Sequence, residues 1–137
     1  MSEPRIVQPP GWKRPRGYSN GMAATGEMLS VAGMIGWDAD EKIVSSEFLP
    51  QFEQALRNVV AVVEQAGGTA QNLISLTIYV TDKQQYIASG AELGRVYRSV
   101  MGKHFPTMAL VQVAALLEDA ALVEIQGLAV LPPQADQ

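Results

Sequence analysis

Alternating apolar and polar positions run through residues 105–130, the last third of this 137-residue chain. Two alternating stretches flank a short break at residues 116–120, a pattern that is typical of a β-hairpin. Both faces of such a hairpin are apolar apart from Gln112, Glu124 and Gln126, so each face needs cover. Because the rest of the chain is too short to supply both covers, the pattern predicts that another subunit supplies one.

Composition excludes several classes of function. The formal net charge is -4, and the chain lacks the basic stripe that non-specific nucleic-acid binding requires. The absence of cysteine excludes disulfides, thiolate nucleophiles and zinc–cysteine sites. The first residues lack the apolar core of a signal peptide, and no apolar run approaches the roughly 18 residues of a membrane span. We therefore expect one cytoplasmic domain over residues 1–137, without nucleic-acid or membrane partners.

The segments before the last third predict alternating strands and helices. The proline-rich residues 1–16 are expected to form an extended arm, and residues 132–137 a flexible tail. Alternation at residues 21–32 predicts two short strands joined as a hairpin. Apolar positions at helical spacing predict a helix at residues 45–68, and alternation predicts a strand at residues 73–81.

A second helix is predicted from Asp82, which is placed to cap it, to about Met101. Gly90 and Gly94 are expected to weaken this helix or to let it approach the sheet closely. The resulting order, β-β-α-β-α-β-β, predicts an α+β fold with the helices on one side of a mixed sheet.

Glu124 is the first candidate for acid–base chemistry on residue type alone. A glutamate within an apolar strand is costly to bury unless it is paired, and its carboxylate can exchange protons with a water molecule. The alternative is a structural ion pair or hydrogen bond across a subunit interface, with Arg14, Arg16 or Arg95 as the partner. Both interpretations stay open at the level of the sequence.

The other polar candidates give weaker signals. His104 is the only histidine, which excludes two-histidine metal sites, and we expect it to be exposed in a loop. Arg14 and Arg16 belong either to a solvated arm or to a group that steers anions toward a cleft. No motif indicates a metal or an organic cofactor.

Five segments carry a resemblance to a known family. They are Gly17-Tyr18-Ser19, LSVAGMIGWD at 29–38, QALRNVVAVVEQAGG at 54–68, LISLTIYVTD at 73–82 and VEI at 123–125. In this order they resemble the reactive intermediate deaminase (Rid) family, also called the YjgF or endoribonuclease L-PSP family. The resemblance implies a chorismate-mutase-like fold and a homotrimer whose sheets line a central barrel, with small-molecule clefts between subunits.

The resemblance also implies roles for particular residues. Deaminase members hydrolyse enamines and imines to keto acids and ammonia, and hold the substrate carboxylate with an arginine two residues after a Phe-Pro step. In this chain the step is Phe105-Pro106, and Met108 stands at the arginine position. The family's water-positioning glutamate matches Glu124, and its cleft tyrosine matches Tyr18.

Methionine at position 108 changes the expected ligand. A thioether cannot replace the planar donor fork of an arginine, so we do not expect efficient turnover of 2-aminoacrylate-type substrates. The expected cleft has Met108 and Leu110 as its floor and Gln112, Glu124 and Tyr18 as its polar groups. Such a cleft suits a less charged, larger or aromatic ligand.

Three functions follow as hypotheses. The first is an enzyme that hydrolyses an imine, an enamine or a related reactive metabolite, with Glu124 as the catalytic group. The second is a non-catalytic homotrimer that binds or senses a small metabolite in the same cleft. The third, a ribonuclease activity, is disfavoured by the acidic net charge and the lack of a basic groove.

Overall fold

The computed structural model describes residues 3–133. The elements in chain order are β1 (Arg5–Val7), β2 (Gly21–Ala23), β3 (Glu27–Ile35), α1 (Phe48–Gln65), a 3₁₀ helix (Ala70–Asn72), β4 (Leu73–Val80), α2 (Lys83–Met101), β5 (Thr107–Gln112) and β6 (Val123–Leu131). Both helices lie on one face of a mixed sheet, so the predicted α+β fold is confirmed. The predicted tail lies outside the described residues except for Pro132 and Pro133.

The core lies between α1 and the sheet. Phe52, Leu56 and Val63 recur at helical spacing along α1 and are at most 1% exposed. Leu76 of β4 and Ile125 of β6 face them and are equally buried. Burying a side chain of this size stabilises the fold by about 1.5–3 kcal/mol. The two periodicities, 3.6 for the helix and 2 for the strands, therefore meet in one apolar layer.

The start of α1 is later than its predicted start at residue 45. The Ser45 side chain accepts a hydrogen bond from the Glu47 amide (3.0 Å), which holds the chain in a turn before the helix. Glu47 itself is extended, with φ -100° and ψ 151°, and the helix begins at the next residue. Local hydrogen bonds from serine compete with helical ones in this way.

The predicted hairpin at residues 105–130 is wrong. The strand order is β3-β6-β4-β5, so β4 lies between the two strands that were expected to pair. β5 runs parallel to β4, and β6 runs antiparallel to it. Alternation identifies a strand but not its partner. The apolar β4 strand needs hydrogen-bonding partners along both edges, and β5 and β6 satisfy them.

Gln51 of α1 fixes the connection between β5 and β6. Its side chain is fully buried. Its Nε2 group donates to the carbonyl oxygens of Ser45 (2.8 Å) and Ala120 (2.9 Å). Its Oε1 atom accepts the amide of Leu122 at 2.8 Å. These bonds fasten the connection to the helix without pairing it as a hairpin turn.

The predicted hairpin at residues 21–32 is also wrong. β2 pairs with β1, whereas β3 pairs with β6 in the main sheet. The predicted element order therefore lacked β1, which lies within the arm expected at residues 1–16. A three-residue strand is too short to show alternation, and its pairing is decided by tertiary contacts.

The predicted cap of α2 is confirmed, and the helix is broken at one of the two glycines that were expected to weaken it. The Asp82 side chain accepts a hydrogen bond from the Gln84 amide at 2.9 Å. Gly90 breaks the helical geometry, with φ 50° and ψ -127°. Among the described residues, neither helix is long and apolar enough to cross a membrane.

Candidate functional site

Residues 104–107 lead into β5 and are held from three sides. The Tyr97 hydroxyl of α2 donates to the His104 carbonyl oxygen at 2.7 Å. The Phe105 ring stacks on the Tyr97 ring, with centroids 5.3 Å apart. The Thr107 hydroxyl donates to the Ile74 carbonyl oxygen at 2.9 Å. The start of β5, and with it Met108, is therefore fixed relative to both α2 and β4.

Ser19 fixes the N-terminal arm against the same segment. Its hydroxyl donates to the Phe105 carbonyl oxygen at 2.5 Å, and its amide donates to the Pro106 carbonyl oxygen at 3.2 Å. Ser19 is 5% exposed. The backbone on either side of Tyr18 is thereby brought close to the start of β5. Two segments that are far apart in the sequence meet at this point.

Three residues of the predicted cleft, Tyr18, Met108 and Leu110, line one cavity of the single chain. We call it the arm cavity; its volume is about 230 Å³. Its other lining residues are Arg16, Gly17, Ile78 and Tyr86. Met108 pairs with Leu76 in the register, and both side chains belong to the face that the helices cover. Tyr18, on the arm, is 43% exposed.

A second cavity of about 210 Å³ adjoins the arm cavity, and we call it the helix cavity. The two cavities share Gly17, Ile78, Tyr86 and Met108 as lining residues. The helix cavity is further lined by Phe52, Leu93, Gly94, Tyr97, Arg98 and Phe105. Burial raises the pKa of the Tyr86 hydroxyl, and burial also raises the pKa of Tyr97. Both tyrosines are therefore neutral hydrogen-bond donors near pH 7.

The structure places Gln112 and Glu124 away from the arm cavity of the same chain. The Gln112 Oε1 atom accepts the Lys83 amide at 2.9 Å and so satisfies one free amide at the start of α2. Glu124 is opposite Tyr79 in the register, on the face of the sheet that points away from the helices. We call this the open face. The ligand-binding and catalytic roles of these two residues stay predictions.

Glu124 occupies a space that a glycine leaves free. The register of β3 shifts between Val31 and Met34, and Gly33 lies in this bulge. A Cβ atom at Gly33 would overlap the Glu124 carboxylate. The glutamate is half-buried, and within residues 3–133 the ion pairs are Arg57–Glu53 and Arg95–Glu92. The alternative role of Glu124, an ion pair or hydrogen bond across a subunit interface, concerns a second chain and stays a prediction.

The expectation that His104 is exposed is wrong. The side chain is 9% exposed, and its Nε2 atom lies 2.6 Å from the Leu73 carbonyl oxygen. Because a carbonyl oxygen only accepts, Nε2 carries the hydrogen in this bond. Within residues 3–133 no group of three or more acidic or histidine side chains is arranged to hold a metal ion.

Helix α2 supplies one wall of both cavities, which was not predicted from the sequence. Tyr86 and Arg98 both line the cavities, and neither was a candidate. Tyr86 precedes Leu93 and Tyr97 by seven and eleven residues, a spacing that predicts one shared face for an unbroken helix. That spacing was the available signal. A Cβ atom at Gly94 would lie 3.1 Å from the Arg98 Nη1 atom, so the glycine leaves space for this guanidinium.

The sequence is similar to proteins from several bacteria. It is 34% identical over 105 residues to a RutC family protein of Pasteurella multocida, covering 77% of this chain and 81% of that protein. It is 31% identical over 108 residues to the 2-iminobutanoate/2-iminopropanoate deaminase of Salmonella typhimurium, covering 77% and 80% of the two chains.

The fold is similar to solved structures of the same group. YyfB of Yersinia pestis, a Rid family protein described as being of unknown function, superposes with a TM-score of 0.79 at 27% identity, covering 94% of this chain and 99% of that one. RidA of a Psychrobacter species superposes with a TM-score of 0.66 at 26% identity, covering 93% and 99%. The family model described as endoribonuclease L-PSP matches residues 12–131. With nearly its whole length matched in both sequence and fold, the chain belongs to the endoribonuclease L-PSP family, also known as the Rid or YjgF family.

Proposed function

We propose that this protein hydrolyses a small imine or enamine to a carbonyl compound and ammonia. The observation that carries the proposal is the arm cavity, in which Tyr18, Met108 and Leu110 meet from two distant segments. Their positions match those of the ligand cleft that the family resemblance implies. The similarity to a deaminase of Salmonella typhimurium supports the same reaction class.

Water is the only co-reactant in this hydrolysis. The oxygen of a water molecule forms a bond to the carbon of the C=N group, and the nitrogen takes up a proton. The resulting carbinolamine loses ammonia as its hydroxyl oxygen forms the C=O bond. A carboxylate that accepts the water's proton and returns it to the leaving nitrogen accelerates both steps. Glu124 is the proposed carboxylate.

The proposed role of Glu124 requires a second copy of the chain. Met108 faces the helices, whereas Glu124 lies on the open face, so one chain does not bring them together. We propose a homotrimer in which Glu124 of one copy completes the arm cavity of its neighbour. Tyr79 and the exposed Val111 lie on the same open face and would be covered in this assembly.

The first test measures ammonia release from freshly generated imines by the native chain and by Glu124→Gln. We expect the variant to lose about 10²–10⁴-fold in kcat, as is usual when a general acid–base group is removed. Glu118→Gln is the matched control, because Glu118 is an exposed glutamate in the connection before β6. Equal turnover by Glu124→Gln and the native chain would exclude Glu124 as the catalytic group.

Gly33→Ala offers an independent test of the same carboxylate. The new methyl group would push the Glu124 side chain aside without removing it. Because the displaced atoms are the end of a flexible side chain, the fold should persist. We expect kcat to fall about 10–100-fold, since misplacing a catalytic group by about 1 Å has this effect.

Met108 favours one second candidate, a binding protein without turnover. The residue lacks the donors that hold a substrate carboxylate in deaminase members, so the cleft could retain ligands that it does not convert. In that case metabolites would bind with no ammonia released from any imine. Met108→Arg would then be expected to create activity on 2-iminopropionate, because it restores the carboxylate contact.

A further inference from the structure

Arg16 is the charged residue among the described residues that line the arm cavity. We propose that its guanidinium holds an acidic group of the ligand, in place of the arginine that is absent at position 108. The ligand class is then a carboxylate with a large apolar or aromatic body. This inference rests on the proposed function for the identity of the reacting group. Its test measures binding and does not depend on turnover.

The arm presents Arg16 in a defined place. Pro15 restricts the backbone before it, and Ser19 fastens the chain after it to residues 105 and 106. Arg16 takes part in neither of the ion pairs formed within residues 3–133, so its donors are available. A guanidinium presents five donors in a fixed fork that matches a carboxylate.

The apolar body of the ligand is assigned from the walls beyond Arg16. Met108 and Tyr86 line both cavities, so the two cavities adjoin, and we assign the body of a ligand held at Arg16 to the helix cavity. There it meets Phe52, Leu93 and the stacked rings of Tyr97 and Phe105. Methionine adapts to irregular apolar shapes, and aromatic walls favour planar groups.

This arrangement selects against small acids. A two- or three-carbon acid bound at Arg16 would leave the helix cavity unfilled. Each additional buried methylene group increases affinity about fourfold.

The test measures the binding of 3-phenylpropionate by NMR titration of the full chain, with 3-phenylpropan-1-ol as the neutral partner. The native chain should bind the acid more tightly than the alcohol. Arg16→Gln should weaken binding of the acid about 10–100-fold and leave the alcohol unchanged, as expected for a lost charge-assisted hydrogen bond. High salt should reduce the difference between acid and alcohol, because the pair is partly exposed.

Two variants serve as controls. Arg14→Gln makes the same change of charge on the same arm, but Arg14 lines a concavity beside Lys103 and His104 and not the arm cavity. Arg98→Gln tests the arginine that lines the adjoining helix cavity, the rival candidate for holding the acid. The proposal is overturned if Arg14→Gln or Arg98→Gln weakens the acid as much as Arg16→Gln does. It is also overturned if the native chain binds the acid and the alcohol equally or binds neither.

Ammonia release separates this inference from the proposed function. If the native chain binds 3-phenylpropionate through Arg16 but converts no imine, the anion contact stands and the hydrolase fails. If it converts the imine of phenylpyruvate and Arg16→Gln leaves KM unchanged, the hydrolase stands and the anion contact fails. A raised KM for that imine, with unchanged KM for the imine of phenylacetaldehyde, supports both.

Discussion

Tyr97 connects the core to the segment that carries the site. Its hydroxyl donates to the carbonyl oxygen of His104, and its ring stacks on Phe105. The residue is 7% exposed, and burial raises the pKa of its hydroxyl above the ordinary value of about 10. This single side chain thus links the stability of α2 to the position of the loop before β5.

The pH dependence of stability follows from this raised pKa. As the pH rises above about 10, the unfolded chain loses the tyrosine proton while the folded chain keeps it. The free energy of unfolding therefore decreases with increasing pH in this window. Tyr97→Phe removes the proton and the hydrogen bond, so it should be about 1 kcal/mol less stable at pH 7.

Urea unfolding of both proteins from pH 7 to pH 11 tests this prediction. The difference in stability between the native chain and Tyr97→Phe should narrow above pH 10. Burial raises the pKa of Tyr86 as well, so Tyr86 also lowers the free energy of unfolding at high pH. The stability of Tyr97→Phe should therefore still decrease above pH 10, but less than that of the native chain. A difference that stays constant over the whole range would contradict the prediction.

At the scale of the element, helix α2 allows the substitution of glycine by alanine to be compared at two positions. Gly94 has ordinary helical geometry, and its nearest side-chain neighbour is the flexible end of Arg98. Gly94→Ala should therefore stabilise the protein by roughly 0.5–1 kcal/mol, the difference in helix propensity. Gly90 has a positive φ of 50°, which alanine adopts only with strain. Gly90→Ala should destabilise the protein by about 1–3 kcal/mol.

Thermal unfolding of the two variants provides the comparison. The same substitution in the same helix should shift the melting temperature in opposite directions. If both variants were stabilised, the break at Gly90 would not exist in solution. The break matters for the site because it separates the part of α2 that carries Tyr86 from the part that carries Leu93 and Tyr97.

At the scale of the whole molecule, the proposed homotrimer would cover the open face of the sheet. Light scattering should give a mass of three times the chain mass of 14.8 kDa. Val111 is 43% exposed on this face, and Val111→Glu should break the trimer, because buried unpaired charge is costly. Leu117→Glu is the control, since Leu117 is 94% exposed in a connection. A native monomer at micromolar concentration would contradict the shared site.

The sequence alone predicted every α-helix and β-strand except β1, and it placed three of the candidate residues in one cleft. The period of 3.6 in α1 and the period of 2 in β4, β5 and β6 predicted these elements because burial acts on local spacing. Asp82 predicted the start of α2 because capping is a local hydrogen bond. The matched segments predicted that Tyr18, Met108 and Leu110 share one cavity, since the fold preserves the place of each segment.

The tertiary structure decided the features that depend on contacts between distant segments of the chain. Strand pairing requires a choice of neighbour, and the insertion of β4 between β5 and β6 leaves no trace in the alternation of either strand. The register of β5 and β6 against β4 puts Met108 and Glu124 on opposite faces of the sheet, although the sequence predicted both in one cleft. Arg16 and Tyr86 entered the cavity walls only through the packing of the arm and of α2. Local spacing determines which side chains an element presents, and packing between distant elements determines which of them meet.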